Sequence, residues 1–245
     1  MNDMQKRRHR IESENDLNGF TLLEKPIDLS VQKAYLDLSD SMYFDNVDCS
    51  EVLNEADKLL MKNTTIETKK RILVALAHLG TMESSRVIEK YLNRSDGELR
   101  DWALLALQEC RMFLEGVLLK EESGFISTAL GGKHDKLRYY FIVGTRQGQT
   151  LTEADRITLI EGFERGSAEY RSENEEIHFG ADYAMIRVMV PIDVSVGEVI
   201  EEGIRQCNRV GEILLSDYYV TNVKKPTRED ILKYLTKIRR KKVGD

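Results

Sequence analysis

The chain has 245 residues, of which 41% are hydrophobic and 32% charged, with only three prolines and a formal net charge of −6. This composition excludes a disordered or collagen-like chain, and no apolar run approaches the roughly 20 residues that cross a bilayer as a helix. Cys49, Cys110 and Cys207 are odd in number and far apart, so neither a disulfide framework nor a zinc knuckle is expected.

The charge is unevenly placed. Residues 1–10 carry +3, residues 224–245 carry +6 (nine Lys/Arg against three acids), and residues 11–223 therefore carry −15. An acidic body is a poor general polyanion binder, because phosphate contacts need clustered cations. Nucleic acid is accordingly not the expected partner, although the two basic ends fit RNA, an anionic lipid surface or an acidic protein. The opening "MNDMQKRRHRIESENDLNGF" lacks the apolar core of a signal peptide, so the expected location is the cytoplasm and residues 1–27 are expected to be a tail.

From Asp28 to about Lys120 the apolar spacing is helical. "DCSEVLNEADKLLMK" (48–62) opens with Asp48 and places Val52, Ala56, Leu59 and Leu60 on one face. "TTIETKKRILVALAHLG" (64–80) begins with the capping pattern Thr64/Glu67, runs through Ile72, Ala75, Leu76 and Leu79, and stops at Gly80. "ESSRVIEKYLNR" (83–94) is a further helix. "SDGELRDWALLALQECRMFLEG" (95–116) opens with Ser95/Glu98 and carries Leu99, Trp102, Leu105 and Ala106. Short loops make consecutive helices packing neighbours, and the 29-residue offset between Arg71 and Arg100 hints at a repeat.

The stretch "RVIEKYLNRSDGELRDWALLALQEC" (86–110) resembles the HEAT-like (armadillo-type) helical repeats, through its aliphatic first helix, the Asp96-Gly97 turn and Arg100 before an Ala/Leu-rich second helix. The resemblance covers two or three repeats within residues 30–120. It implies a helical solenoid and a protein-binding scaffold. The repeat-built iron hydroxylases of that family use His-Glu pairs as metal ligands, and here His9, His78, His134 and His178 are followed by Arg, Leu, Asp and Phe.

Residues 123–136 read as a junction. "GGKHDK" precedes a strand, whereas a phosphate loop follows a strand and leads into a helix, so Gly131, Gly132 and Asp135 are expected to form a hairpin or hinge. Beyond it the period changes. "LRYYFIV" (137–143) reads as a strand and "TEADRITLIEGFERGSAEY" (152–170) as a helix with a Thr152/Asp155 cap and Ile157, Ile160 and Phe163 inward. "EEIHF" (175–179) and "DYAMIRVMV" (182–190) form a hairpin, "SVGEVIEEGIRQC" (195–207) a helix with a Ser195/Glu198 box, and "GEILLSDYYVTNV" (211–223) a last strand. The order βαββαβ predicts a ferredoxin-like sandwich over residues 137–225, followed by a basic closing helix and tail at 226–245. The expected fold class is therefore two-domain: HEAT-like helical repeats over 28–122, then the α+β sandwich.

Alternation in "YAMIRVMV" predicts Ala184, Ile186, Val188 and Val190 toward the two helices, with Tyr183, Met185, Arg187 and Met189 on the other face. Left open, that face fits a protein partner or single-stranded RNA; the preferred expectation is that it is buried, by the helical half or by a second copy of the chain, because an open apolar sheet face is usually covered. The candidate ligand- or partner-binding residues are Lys133, His134, Arg138, Tyr140, Arg187 and Tyr218. No catalytic or metal-ligating set and no cofactor motif emerges. The expected role is a non-enzymatic scaffold or adaptor with a protein partner and a possible homodimer through the C-terminal sheet. The alternatives are a small-molecule-sensing module or a single-stranded RNA-binding protein.

Overall fold

A computed structural model describes residues 20–42, 49–95, 97–119 and 124–241. The chain forms two compact units: residues 1–23 with 27–127, and residues 24–26 with 128–245. Together they make an α+β protein in two parts. Asp48, expected to open a helix, and Asp96 of the expected turn lie outside the described residues, as does most of the expected N-terminal tail.

The first unit contains β1 (Phe20–Leu22), α1 (Leu29–Ser41), α2 (Cys49–Glu55), a 3-10 turn (Ala56–Leu60), α3 (Ile66–Leu79), α4 (Met82–Leu92), α5 (Gly97–Leu119) and β2 (Gly124–Ile126). Strand β1, within the stretch expected as a tail, pairs in parallel with β2, placing Phe20 opposite Gly124. Helix α5 packs against α1, α3 and α4. Their apolar stripes bury Leu73, Leu76, Ile88, Ala103 and Ala106 completely, each large aliphatic chain contributing about 1.5–3 kcal/mol relative to exposure. The caps differ from the expected ones by small shifts. Thr65 rather than Thr64 accepts the N-terminal amide of α3, from Thr68. The Ser95 hydroxyl turns back to donate to the Leu92 carbonyl at the end of α4.

The second unit runs β3 (Gly132–Lys133), β4 (Lys136–Thr145), α6 (Glu153–Glu169), β5 (Glu173–Phe179), β6 (Tyr183–Pro191), α7 (Val196–Asn208), β7 (Leu214–Thr221) and α8 (Arg228–Lys241). The sheet is antiparallel: β4 and β6 are central, β5 lies outside β6, and both β7 and the short β3 pair with the other side of β4. The first and last long strands are thus neighbours, with Tyr218 and Tyr219 paired to Val143 and Ile142 rather than to the Tyr139-Tyr140 step.

One sheet face buries Phe141, Val143, Ala184, Ile186, Val188 and Val190 against α6 and α7. These two helices meet through small residues: a Cβ on Gly166 would stand 2.8 Å from the Gly203 Cα. That close approach rotates α6, so Leu159, Gly162 and Phe163 face inward while Ile157, expected inside, is 51% exposed.

The opposite face is not open. Helix α8 lies on it, packing Ile231, Tyr234, Leu235 and Ile238 against Tyr140, Ile142, Met185 and Leu215. The spacing i, i+3, i+4, i+7 makes one apolar stripe on a helix. Gly144 on β4 permits the contact, since a Cβ there would meet Ile238 Cδ1 at 2.9 Å. The face is covered, as preferred, but the cover is the chain's own basic helix, which replaces both the open-face reading and the expected homodimer through the sheet. Among the described residues no helix is long and apolar enough to cross a membrane.

Candidate functional site

The end of the second sheet face that α8 does not cover carries a ladder of charges. On β4 the side chains of Lys136, Arg138 and Tyr140 share that face with Met189 and Arg187 of β6. On β5 a bulge between Asn174 and Glu176 inserts Glu175 as an extra residue, and such an insertion re-aims neighbouring side chains. Arg138 grips Glu175 with two parallel bonds, Nε to Oε2 at 2.7 Å and Nη2 to Oε1 at 2.8 Å. Arg187 Nε lies 2.9 Å from the same Oε2, and its Nη1 lies 3.3 Å from Glu176 Oε2. The hydrogen bond from Arg138 holds the Glu175 carboxyl below the usual carboxylate range against its partial burial, and the Arg187 charge adds to this. Lys136 pairs with Glu173 at 2.5 Å and lowers that carboxyl in the same way.

Tyr140 is only 4% exposed. Its hydroxyl accepts from Arg187 Nη1 at 3.3 Å, and Lys225 Nζ lies 5.8 Å from its ring centroid. A ring so enclosed cannot stack on a base, which removes the basis for single-stranded RNA recognition by Tyr140. Lys133 sits on the adjoining hairpin, in register with Lys136. His134, at φ 54°, forms the turn with Asp135, which the sequence names for it together with the two glycines, and its backbone N–H donates to Glu24 Oε1. Tyr218 lies on the other face, donating to Glu201 of α7. Of the six sequence-selected residues, Arg138, Tyr140 and Arg187 are therefore brought together, with Lys133 alongside, while His134 and Tyr218 serve local structure.

The residues that sequence reasoning left out lie on α8. Its outward face exposes Arg228, Lys233 and Lys237, and among the described residues Lys233 and Lys237 have no carboxylate partner within ion-pair distance. The helix is fixed at both ends, by Lys224 with Asp230 and by Arg239 with Asp182. Tyr234 is no nucleophile: it donates to the Asp217 carbonyl at 2.7 Å, and burial pushes its hydroxyl far above the usual range.

In the first unit a polar cluster sits inside the helical core. The Tyr35 hydroxyl donates to Glu109 Oε2 at 2.6 Å, and Ser39 Oγ lies 2.8 Å from His78 Nε2 and 3.4 Å from Glu109 Oε1. Tyr35, Ser39 and Glu109 are each at most 3% exposed, so no substrate reaches this serine–histidine pair. A cleft of about 210 Å³ in the second unit is lined by Thr145, Gln149, Leu151, Asp155 and Glu212. Its carboxylates are engaged, Asp155 in capping Thr152 and Glu212 with Arg146. Among the described residues no group of three or more His, Cys, Asp or Glu is placed to hold a metal ion.

No family model matches the chain, and neither does any curated protein. Solved structures do. A putative transposase from Deinococcus radiodurans matches at 19% identity and a TM-score of 0.36, covering 42% of this chain and 90% of its own. A REP-associated tyrosine transposase bound to a REP hairpin matches at 11% identity and 0.32, covering 42% and 67%. A C-terminal segment of the alpha subunit of aIF2 from Pyrococcus abyssi matches at 15% identity and 0.25, covering 82% and 98%. None of these is described as a helical-repeat scaffold. The expectations of a HEAT-repeat scaffold or adaptor, and of a non-enzyme, find no support among these matches and are set aside. At such TM-scores the likeness transfers no activity and no residue role.

Proposed function

We propose that the second unit binds nucleic acid through the basic layer formed by α8 and the segment leading into it. The observation that carries this reading is a segregation of charge across three layers. Residues 128–245 hold 19 Lys/Arg and 19 Asp/Glu, so this unit is neutral and the acidic excess of the chain belongs to the remainder. Within the unit, α6 (153–169) carries −3 and α7 (196–208) −2, on one side of the sheet, while α8 (228–241) carries +4 on the other. A whole-body acidic average hides a cationic face of this kind. Polyanions respond to such local clusters, since each phosphate neutralised releases counterions.

In fold terms, the βαββαβ order and the strand order β7-β4-β6-β5 support a ferredoxin-like sandwich with α8 added on the second face. The bases would lie over helix α8 and its lysines rather than on the sheet, and the contacts would run to the backbone. A folded hairpin or duplex is then the preferred form, because among the described residues no exposed aromatic row is available for stacking single strands.

The test is fluorescence anisotropy with a labelled DNA hairpin and a single strand of equal length, titrated across salt. Lys233→Glu with Lys237→Glu is expected to weaken hairpin binding by about tenfold or more and to flatten the log–log salt slope by roughly 2. Wild-type protein that shows no salt-dependent binding, or a double variant that binds like wild type, would overturn the reading.

A further inference from the structure

The geometry points to a phosphate-binding subsite formed by Arg138 and Arg187 that Glu175 keeps closed by occupying it. Two guanidinium groups from adjacent strands converge on one carboxylate, one of them bidentate at 2.7 and 2.8 Å and the other at 2.9 Å. Arginine forks match carboxylate and phosphate oxygens alike, so whatever holds Glu175 here is also built to hold a phosphate group. The carboxylate comes from the bulged residue of β5, an edge strand. It is delivered by the extra residue of a bulge rather than by the regular ladder, and only a local change at that bulge is needed to withdraw it.

Both arginines have anchors that do not involve Glu175. Arg138 Nη1 donates to the Leu130 carbonyl at 2.9 Å, and Arg187 Nη1 donates to the Tyr140 hydroxyl at 3.3 Å. The guanidinium groups therefore keep their aim when the carboxylate leaves. Lys225, above the Tyr140 ring, adds a further cation. The side chains of Arg138, Arg187 and Glu175 are 22%, 33% and 25% exposed, so an anion can reach them from solvent. With Arg138 and Arg187 facing Glu175 and Glu176 the cluster is neutral, and with Glu175 withdrawn it carries +1, to which Lys225 beside Tyr140 adds a further positive charge.

This inference rests on the nucleic-acid reading for the source of the phosphate, which is a backbone group of the strand lying over α8, but not for the geometry of the subsite. The competing account is a cross-strand ion ladder that only ties β4, β6 and β5 together. Two probes separate the accounts, applied to the full chain as wild type, Glu175→Ala, Glu175→Gln and Glu161→Ala. The last removes one negative charge from α6 on the far side of the sheet.

The first probe is inorganic pyrophosphate, followed by the arginine Nε–H resonances. Glu175→Ala is expected to saturate at concentrations at least about tenfold lower than wild type or Glu161→Ala, with Arg138→Ala in the same background abolishing the response. Glu175→Gln, which keeps the bulge hydrogen-bonded without the charge, is expected to move the same way by about threefold, and it decides the matter if the alanine variant does not fold. The second probe is the labelled hairpin, which Glu175→Ala is expected to bind about three- to tenfold more tightly than Glu161→Ala. Equal pyrophosphate titrations for the position-175 and position-161 variants overturn the subsite. A pyrophosphate response without a hairpin response keeps the subsite and overturns the backbone as its source. A wild type that ignores the hairpin removes the nucleic-acid reading, and the pyrophosphate probe then judges the subsite alone.

Discussion

The Tyr234 hydroxyl donates to the Asp217 carbonyl at 2.7 Å, tying α8 to strand β7. With Arg239 on Asp182 and Lys224 on Asp230, it turns a basic C-terminal segment into a structural layer. Leu235→Ala or Ile238→Ala is therefore expected to destabilise the protein by about 2–4 kcal/mol, because each removes a side chain at most 5% exposed from a packed interface. Leu232→Ala, at a position 55% exposed on the same helix, is expected to stay within about 0.5 kcal/mol. Urea unfolding of the three variants checks this; equal midpoints for all three would mean that α8 does not contribute to folding.

Gly166 and Gly203 set the distance between α6 and α7. A methyl group at 166 would stand 2.8 Å from backbone atoms of Gly203, and backbone cannot swing aside as a flexible side chain can. Gly166→Ala raises helix propensity by about 1 kcal/mol at an ordinary helical site. Here it is expected to destabilise instead, by about 1–3 kcal/mol from overpacking. A rise in the thermal midpoint of this variant would show that the helices are further apart.

Much of this architecture is written in local pattern. The change from helical spacing before Lys120 to alternation after Lys136 marks the two units, and the odd and even residues of "YAMIRVMV" sort to opposite sheet faces as their polarity demands. The cover of the second face was less visible, because lysine and arginine dominate residues 228–241 and mask the stripe of Ile231, Tyr234, Leu235 and Ile238. The apolar character of Tyr183 and Met185 was the available sign that something had to lie on that face. The bulge at Glu175 has no sequence marker such as glycine, so the meeting of Arg138, Arg187 and Glu175 had to come from the register. Ser39, His78 and Glu109 are drawn from three helices, and no spacing rule joins them.

Acid should weaken the second unit. Backbone and side-chain bonds from Thr227, together with the bond from Lys224, lower the Asp230 carboxyl from 3.8 to about 2. Arg138 lowers Glu175, and Lys136 lowers Glu173, from 4.5. Carboxyls depressed in the folded state contribute stability above their unfolded pKa values and lose it as pH falls through the folded ones. The thermal midpoint is thus expected to be insensitive to pH just above about 5 and to decline from about 4.5 toward 2. Asp230→Asn is expected to shallow that decline, and a midpoint that rises on acidification would contradict the arrangement of these pairs.

The buried cluster in the first unit allows a sharper test of what its polar groups do. Tyr35 is fully buried, and its hydroxyl depends on Glu109 at 2.6 Å, while Ser39 links Glu109 to His78. Glu109→Ala leaves a buried hydroxyl without that acceptor and opens space in the core, and is expected to cost about 2–4 kcal/mol. Tyr35→Phe alone removes one donor and leaves Glu109 with Ser39 and His78, for a cost of about 1–3 kcal/mol. If the two residues act through their mutual bond, the double variant falls short of the sum by about 0.5–3 kcal/mol. Urea unfolding of the four proteins gives the coupling directly. Strict additivity would mean that Tyr35 and Glu109 are each held by other contacts, and that the short bond between them adds nothing to the helical core.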